Sequence, residues 1–215
     1  MSGFANRTGV QIVFDLIDAI QENKQYLSDI DGAIGDGDHG INMNKGFTLC
    51  REALLTSPGN LTHGFNTLSK ILIMKIGGSM GPLYGYFFKY MAAACEKAET
   101  IDAAVFGEML GSARASIEKI SEARPGDKTL MDVLVPAEAA YRAALEAGEP
   151  FRVCLRKMAE AARKGRDATK DMVARIGRSS RLGERSRGVI DAGAASCCLI
   201  LETIANSIGG LLEGG

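Results

Sequence analysis

The 215-residue sequence has no tryptophan, only 5 prolines and no excess of charge of either sign. Its 25 Lys and Arg residues are balanced by 26 Asp and Glu residues, so the formal net charge is −1. A protein without an overall basic field does not attract nucleic acid over its whole surface, and any anion must be bound locally. We therefore expect no nucleic-acid partner.

Long apolar runs and a secretory leader are also missing. No stretch of eighteen consecutive apolar residues occurs, and the first residues lack the charged and then apolar pattern of a secretory signal. The five cysteines are odd in number and form no CxxC pair, so we interpret them as small core residues. These features predict a cytoplasmic protein that does not contact the membrane.

What the sequence does contain is helical periodicity along most of its length. Val13, Leu16, Ile17 and Ile20 fall at i, i+3, i+4 and i+7, which places them on one face of a helix. Similar patterns predict seven further helices and no convincing strand, so we expect a single all-α domain over residues 1–215. The eight predicted helices begin, in chain order, near Thr8, Gly40, Asn60, Pro82, Asp102, Thr129, Pro150 and Gly193.

Four polar, glycine-rich connections separate these helices, at residues 31–40, 76–82, 121–128 and 177–193. They lie at roughly alternating junctions along the chain. In an antiparallel arrangement every second connection lies at the same end of the helices. We expect the four connections to meet at one rim and to carry the chemistry of the protein.

The first of these connections is rich in carboxylates. Asp31, Asp36 and Asp38 lie close together in sequence with glycines among them. Carboxylates this crowded repel one another, and a divalent cation such as Mg²⁺ would keep them ionised. Because Mg²⁺ usually takes phosphate oxygens as further ligands, the connection predicts a polyphosphate partner. The summed negative charge of three carboxylates and a nucleotide favours two Mg²⁺ ions.

Other readings of this segment are weaker. Gly35, Gly37 and Gly40 match GxGxxG, but a helix precedes them where a dinucleotide fold needs a strand. A calcium loop starting at Asp36 would need glutamate where Phe47 stands, and no Walker A sequence occurs. An ordinary turn built from aspartate and glycine is the remaining alternative.

Four further segments are candidates for anion binding. Residues 39–42 open a helix whose free N–H groups favour an anion, and residues 77–82 form either a second cradle or a plain turn between helices. Lys128 is either a phosphate contact or a turn residue. Most of the arginines between residues 175 and 187 are expected to be surface charges, with one or two available for phosphate.

Several motifs together resemble one family, the L subunit of dihydroxyacetone kinase. They occur in the family's order and span nearly the whole chain. The form of residues 34–46 looks like the stand-alone, phosphotransferase-dependent L subunits. The motifs are IGDGDHGINMNKG at 34–46, GGSMGPLYG at 77–85, PGDKT at 125–129 followed by Asp132, and GRSSRLGERS at 177–186 followed by DAGA at 191–194.

This resemblance implies an eight-helix antiparallel barrel or bundle with ADP or ATP and two Mg²⁺ ions at one rim. It also implies a K-type partner subunit that holds the ketose and a phosphocarrier M subunit that recharges the nucleotide; a homodimer stays open. Asp31, Asp36 and Asp38 would be the metal ligands, and Arg178 and Lys128 the catalytic residues. The nucleotide contacts would be His39, Gly40, Ile41, Asn42, Ser79, Met80, Ser121, Leu130, Arg178, Asp191, Ala192 and Gly193.

The chain departs from the family pattern at three of these positions. Met80 stands where a serine is frequent, Ser121 where glycine is frequent, and Ala192 where proline is frequent. A non-catalytic nucleotide sensor or a lipid-binding helical barrel is therefore the alternative function, and Met80 is the residue that keeps it open.

Overall fold

Helices form nearly all of the regular structure in the computed structural model, which describes residues 3–213. The predicted all-α class is therefore confirmed. The elements are β1 (Gly3–Ala5), α1 (Val10–Glu22), α2 (Lys24–Ile34), α3 (His39–Thr56), α4 (Leu61–Lys75), α5 (Met80–Cys95), β2 (Thr100–Asp102), α6 (Ala103–Ile120), α7 (Met131–Glu146), α8 (Phe151–Ala168) and α9 (Ala192–Glu213), with 3₁₀ segments at Thr169–Asp171 and Arg178–Ser186.

Eight of these helices pack as a closed ring. The helix α1 contacts α3, each helix from α3 to α8 contacts the next along the chain, and α9 contacts both α8 and α1. Short connections between most successive helices make neighbours antiparallel. The core lies inside the ring and includes an aromatic cluster, in which the Phe88 ring lies 5.1 Å from Phe87, 5.3 Å from Phe65 and 6.2 Å from Phe47.

The helix α2 lies beside the ring and was not predicted. It packs against α3, α9 and the 3₁₀ segment Arg178–Ser186. Only Leu27 and Ile34 are buried in it, which is too few to produce an apolar periodicity in the sequence. As a result Asp31 belongs to the end of a helix, and the predicted loop at 31–40 is reduced to residues 35–38.

Several predicted helix ends are confirmed by their caps. Asn60 accepts a hydrogen bond from the His63 N–H at 2.9 Å, and Asp102 accepts one from the Val105 N–H at 2.8 Å. Both bonds satisfy a first-turn N–H group that has no partner within the helix. The first helix was predicted to begin near Thr8 and begins at Val10; the Thr8 hydroxyl donates to the Ala5 carbonyl and does not cap the helix.

Other boundaries differ from the predictions. The helix α5 begins at Met80, two residues before Pro82, and α7 begins at Met131 and runs through Pro136. The helix α8 ends at Ala168, so Met172 and Ile176 lie beyond it in the connection to α9. Two three-residue strands were also missed; β1 and β2 pair in antiparallel register with Phe4 opposite Ile101.

The helix α9 is long and apolar enough to cross a membrane by length and composition alone, although Glu202 and Asn206 interrupt it. In the structure 56% of its most apolar window is buried, and its buried residues belong to the core of the ring. A core helix of a soluble protein packs in this way. The prediction for the cysteines is confirmed, because all five are free and buried: Cys50, Cys95, Cys154, Cys197 and Cys198.

The caps give a direct test of the fold. Asp102→Ala removes the side-chain acceptor at the start of α6, so we expect a loss of about 1 kcal/mol in the free energy of unfolding. Urea unfolding followed by circular dichroism measures it. Glu108→Ala, on the exposed face of the same helix, is the control and should change stability by less than about 0.5 kcal/mol. Equal losses in both variants would contradict the cap assignment.

Candidate functional site

A cleft of about 270 Å³ opens at one rim of the helical ring. Its walls come from residues 31–42, 77–84, 117–131 and 176–193. These segments contain the four polar connections, so the structure confirms that the connections meet at one end. The cleft is formed mainly by helix ends and by the loops that join them.

Three carboxylates lie together at this rim. Asp31 is in the last turn of α2, Asp36 is in the loop, and Asp38 is at the N-cap position of α3. One oxygen from each lies within 4.8 Å of the other two. The reversal between the helices needs Gly37, whose φ of +76° is rare for other residues. Carboxylate oxygens this close match the donors that Mg²⁺ prefers, so the residues present fit a divalent cation.

Two contacts restrain the carboxylates. The Asp31 carboxylate accepts a hydrogen bond from the His39 N–H at 3.2 Å, and Asp36 forms an ion pair with Arg178 from the connection before α9. The Arg178 side chain is 59% exposed, and that of Asp36 is 40% exposed. A guanidinium so exposed is free to exchange one anionic partner for another.

A chain of hydrogen bonds runs from the cleft into the core. Nε2 of His39 lies 2.9 Å from the Ser196 hydroxyl, which lies 2.7 Å from the Tyr84 hydroxyl, and Tyr84 donates to the Gly193 carbonyl. Burial lowers the pKa of His39, although the Asp31 carboxylate acts in the opposite direction. The contacts fix the imidazole ring against α9 and the wall of the cleft.

Most of the predicted site residues line the cleft, and Gly40 and Ile41 do not. A Cβ atom on Gly40 would lie 2.1 Å from the Lys24 carbonyl oxygen, so this glycine allows α3 to pack against α2. The Ile41 side chain is 53% exposed to solvent. The predicted residues in the lining are Asp31, Asp36, Asp38, His39, Asn42, Ser79, Met80, Ser121, Lys128, Leu130, Arg178, Asp191, Ala192 and Gly193.

Lys128 is placed differently from the prediction that it is catalytic. None of its surface is exposed, and its ammonium donates three hydrogen bonds to backbone carbonyls. A lysine has three N–H donors, so none is left for a phosphate. Burial lowers the pKa of Lys128, and the Asp191 carboxylate raises it. The ammonium therefore bonds the protein backbone, and its catalytic role stays a prediction.

Asp191 lies just before α9 and is held on both sides. Its carboxylate accepts a hydrogen bond from the Ala194 N–H at 2.8 Å, and its own N–H donates to the Thr169 hydroxyl at 3.1 Å. Burial raises the pKa of Asp191 to about 6, although the Ala194 hydrogen bond and the charge of Lys128 favour ionisation. A carboxylate with this pKa can change charge near neutral pH.

Apolar residues complete the cleft, and the sequence did not single them out. The helical periodicity assigned most of them to packing between helices. In the structure the helix ends meet, and these apolar residues then also form a surface on which a flat, apolar group could lie. They include Ile34, Leu83, Ile117 and Ile176.

A ring of helices with carboxylates, helix starts and apolar surface at one rim defines a class of protein whose rim can hold a divalent cation and an anion. Comparisons with known proteins agree with this class. The profile described as the DAK2 domain matches residues 33–206. The chain belongs to the DAK2 domain family, and within it to the ADP-binding L subunits of dihydroxyacetone kinase.

Three relatives support this assignment. The ADP-binding subunit DhaL of PEP-dependent dihydroxyacetone kinase 1 from Listeria innocua is 39% identical over 88% of this chain and 90% of its own length. The DhaL subunit of the PTS-dependent kinase of Lactococcus lactis is 38% identical over 86% of this chain and 88% of its own. The Escherichia coli DhaL subunit is 33% identical over 87% of this chain and 90% of its own length.

Solved structures show the same fold. The native dihydroxyacetone kinase of C. freundii superposes with a TM-score of 0.70 at 22% identity, over 96% of this chain and 36% of that chain. The complex of that kinase with AMP-PNP and Mg²⁺ gives a TM-score of 0.69 at 21% identity, over 96% of this chain and 35% of that chain. This chain therefore spans about a third of the length of either structure.

The raised pKa of Asp191 makes stability depend on pH. Its carboxyl binds a proton more tightly in the folded protein than in the unfolded chain, so its contribution to stability is present at low pH. That contribution is lost as the pH rises from about 4 through about 6. Asp191→Asn keeps the acceptor for the Ala194 N–H and removes the titration. Urea unfolding from pH 4 to 7 should show wild type losing stability relative to the variant, and a pH-independent difference would contradict the assignment.

Proposed function

We propose that the protein is the nucleotide-binding subunit of a dihydroxyacetone kinase, which relays a phosphoryl group through a Mg²⁺-bound ADP or ATP to a short-chain ketose on a partner subunit. The observation that carries this proposal is the cluster of three carboxylate oxygens within 4.8 Å, at the mouth of a cleft that also has apolar walls. The names of the relatives, which are ADP-binding subunits of such kinases, support it.

Asp31, Asp36 and Asp38 would hold the metal. We propose two Mg²⁺ ions, because three carboxylates and a nucleotide diphosphate or triphosphate carry about six or seven negative charges in one small volume. Bound Mg²⁺ would neutralise the charge that develops on the transferring phosphoryl group. If Asp36 held a cation, the Arg178 guanidinium would be free of this ion pair and could bind the phosphates.

The starts of two helices would bind the phosphates. Asp38 and Ser79 occupy the N-cap positions of α3 and α5, and neither side chain makes a capping hydrogen bond. First-turn N–H groups without an internal acceptor attract anions, and the helix dipole adds to this attraction. The side chains of Asn42 and Ser79 lie in the same lining, and the apolar residues offer a place for the adenine ring.

The carboxylates also favour one of the alternative functions. A lipid-binding barrel needs an apolar interior, whereas this cleft has three acidic groups at its mouth. Met80, which kept that alternative open, is 8% exposed and packs in the hydrophobic core. These features favour a nucleotide over a lipid, and the kinase names of the relatives favour an enzyme subunit over a sensor.

The proposal includes partners and a location. The ketose would be held by a K-type subunit, and a phosphocarrier M subunit would recharge the nucleotide in place. The relatives named as PEP-dependent or PTS-dependent support a phosphocarrier as donor over free ATP. Residues 1–215 would act as one nucleotide-binding domain in the cytoplasm; a homodimer is compatible with this scheme.

The metal site is tested by Asp36→Asn, which removes one charged ligand and keeps the size of the side chain. We expect the Mg²⁺-dependent affinity for ADP, measured by isothermal titration calorimetry, to fall at least tenfold. The residues around the metal ligands cannot replace a lost carboxylate. Asp29→Asn changes an exposed aspartate in α2 and is the control. Circular dichroism should be native for both. Wild-type affinity in Asp36→Asn would refute the metal assignment.

The phosphate donor needs a separate experiment. The purified chain is mixed with a K subunit and dihydroxyacetone, and the product is measured with ATP alone or with a phosphorylated M subunit. We expect several turnovers per chain with the phosphocarrier and at most about one with excess ATP, since the bound nucleotide is recharged in place. Sustained turnover with ATP alone would contradict the proposed donor.

A further inference from the structure

The connection between α8 and α9 carries Arg178 to the cleft and is long. It runs from residue 169 to residue 191 with little regular structure except the 3₁₀ segments. A segment of this kind is usually mobile unless other parts of the protein restrain it. Arg178 can therefore stay beside Asp36 only if other contacts restrain this connection.

One side-chain atom bonds to both limbs of the connection, which are the part before Arg178 and the part after it. The Nζ atom of Lys128 donates to carbonyl oxygens of Met172, Ser186 and Val189, at 3.2, 2.6 and 2.6 Å. Residue 172 precedes Arg178, and residues 186 and 189 follow it. The ammonium therefore bridges the two limbs at the base of the segment 173–185. It does so beside two direct bonds between the limbs, from the Gly188 N–H to the Lys170 carbonyl at 2.7 Å and from the Ala174 N–H to the Ser186 hydroxyl at 2.9 Å.

The lysine is itself fixed to α7. The Thr129 N–H donates to the Asp132 carboxylate at 2.7 Å, which holds the turn before α7, and the Asp127 carbonyl accepts from the Arg175 N–H at 3.1 Å. Lys128 has a φ of +62°, in the left-handed region that favours glycine. A strained backbone that carries a fully buried ammonium persists only where surrounding contacts hold it in place.

Because its ammonium is buried and fully bonded, Lys128 cannot act on the phosphates directly. We infer that Lys128 is a positioning residue, which closes the connection before α9 and so holds Arg178 at the mouth of the cleft. The inference rests on the proposed function for the role of Arg178 in nucleotide binding. Closure of the connection by Lys128 can be tested without that function.

A purely structural lysine would give a different result. Its replacement would lower the stability of the whole chain and would weaken binding whether or not Arg178 is present. A positioning lysine acts through Arg178, so its effect should disappear once Arg178 is gone. The coupling between the two residues is therefore the decisive measurement.

The first arm measures closure in the protein without nucleotide. Lys128→Met keeps the length of the side chain and removes all three donors, and Lys128→Gln keeps two donors without the charge. Hydrogen exchange read by mass spectrometry should rise at least tenfold in residues 173–187 of Lys128→Met, and less in Lys128→Gln. Lys97→Met, an exposed lysine before β2 at the other end of α5, is the control and should match wild type.

The second arm is a double-mutant cycle on the affinity for Mg²⁺ and ADP. Lys128→Met and Arg178→Ala should each weaken binding about tenfold, and the double variant should be no weaker than the weaker single variant. Lys128→Gln should recover part of the affinity. If Lys128→Met fails to fold, Lys128→Gln enters the cycle in its place.

Two results would overturn the inference. The first is a folded Lys128 variant in which hydrogen exchange in residues 173–187 is unchanged. The second is a double variant whose fold-loss of affinity equals the product of the fold-losses of the two single variants. Failure of the wild type to bind Mg²⁺ and ADP would count against the proposed function alone. The exchange arm would then decide whether Lys128 closes the connection.

Discussion

The repulsion among three carboxylates at the rim is the constraint on which the site depends. Asp31 ends α2 and Asp38 begins α3, so packing of the two helices prevents these side chains from moving apart. Asp36, on the short loop between them, is exposed and pairs with Arg178. Positive charge, from Arg178 or from a divalent cation, offsets the repulsion within this cluster.

The helical ring makes this concentration of charge possible. Its core is continuous around the ring, and the rim combines helix ends with the connections that join them. The one long connection, before α9, is tied down by the buried Lys128 ammonium, which also favours the ionised form of Asp191. Rigid helix ends and one restrained connection therefore place opposite charges around a cleft whose remaining walls are apolar.

Much of this arrangement could be predicted from the sequence, because strong periodicity and short caps are local signals. Asn60 and Asp102 were identified from such signals, and the carboxylates were identified from their spacing. The helix α2 was missed because it buries only two residues. The packing role of Gly40 was missed too, because it depends on a carbonyl in that helix. The part played by Lys128 could not be predicted, since its acceptors lie 44 to 61 residues away in sequence.

Crystals grown with Mn²⁺ and ADP would test the central claim most directly, because Mn²⁺ takes the same oxygen ligands as Mg²⁺ and its anomalous scattering locates it. The account predicts anomalous peaks about 2.1 Å from carboxylate oxygens of Asp31, Asp36 and Asp38, with phosphate oxygens as further ligands. Peaks elsewhere in the protein, with these three side chains directed into solvent and the nucleotide outside the cleft, would contradict it.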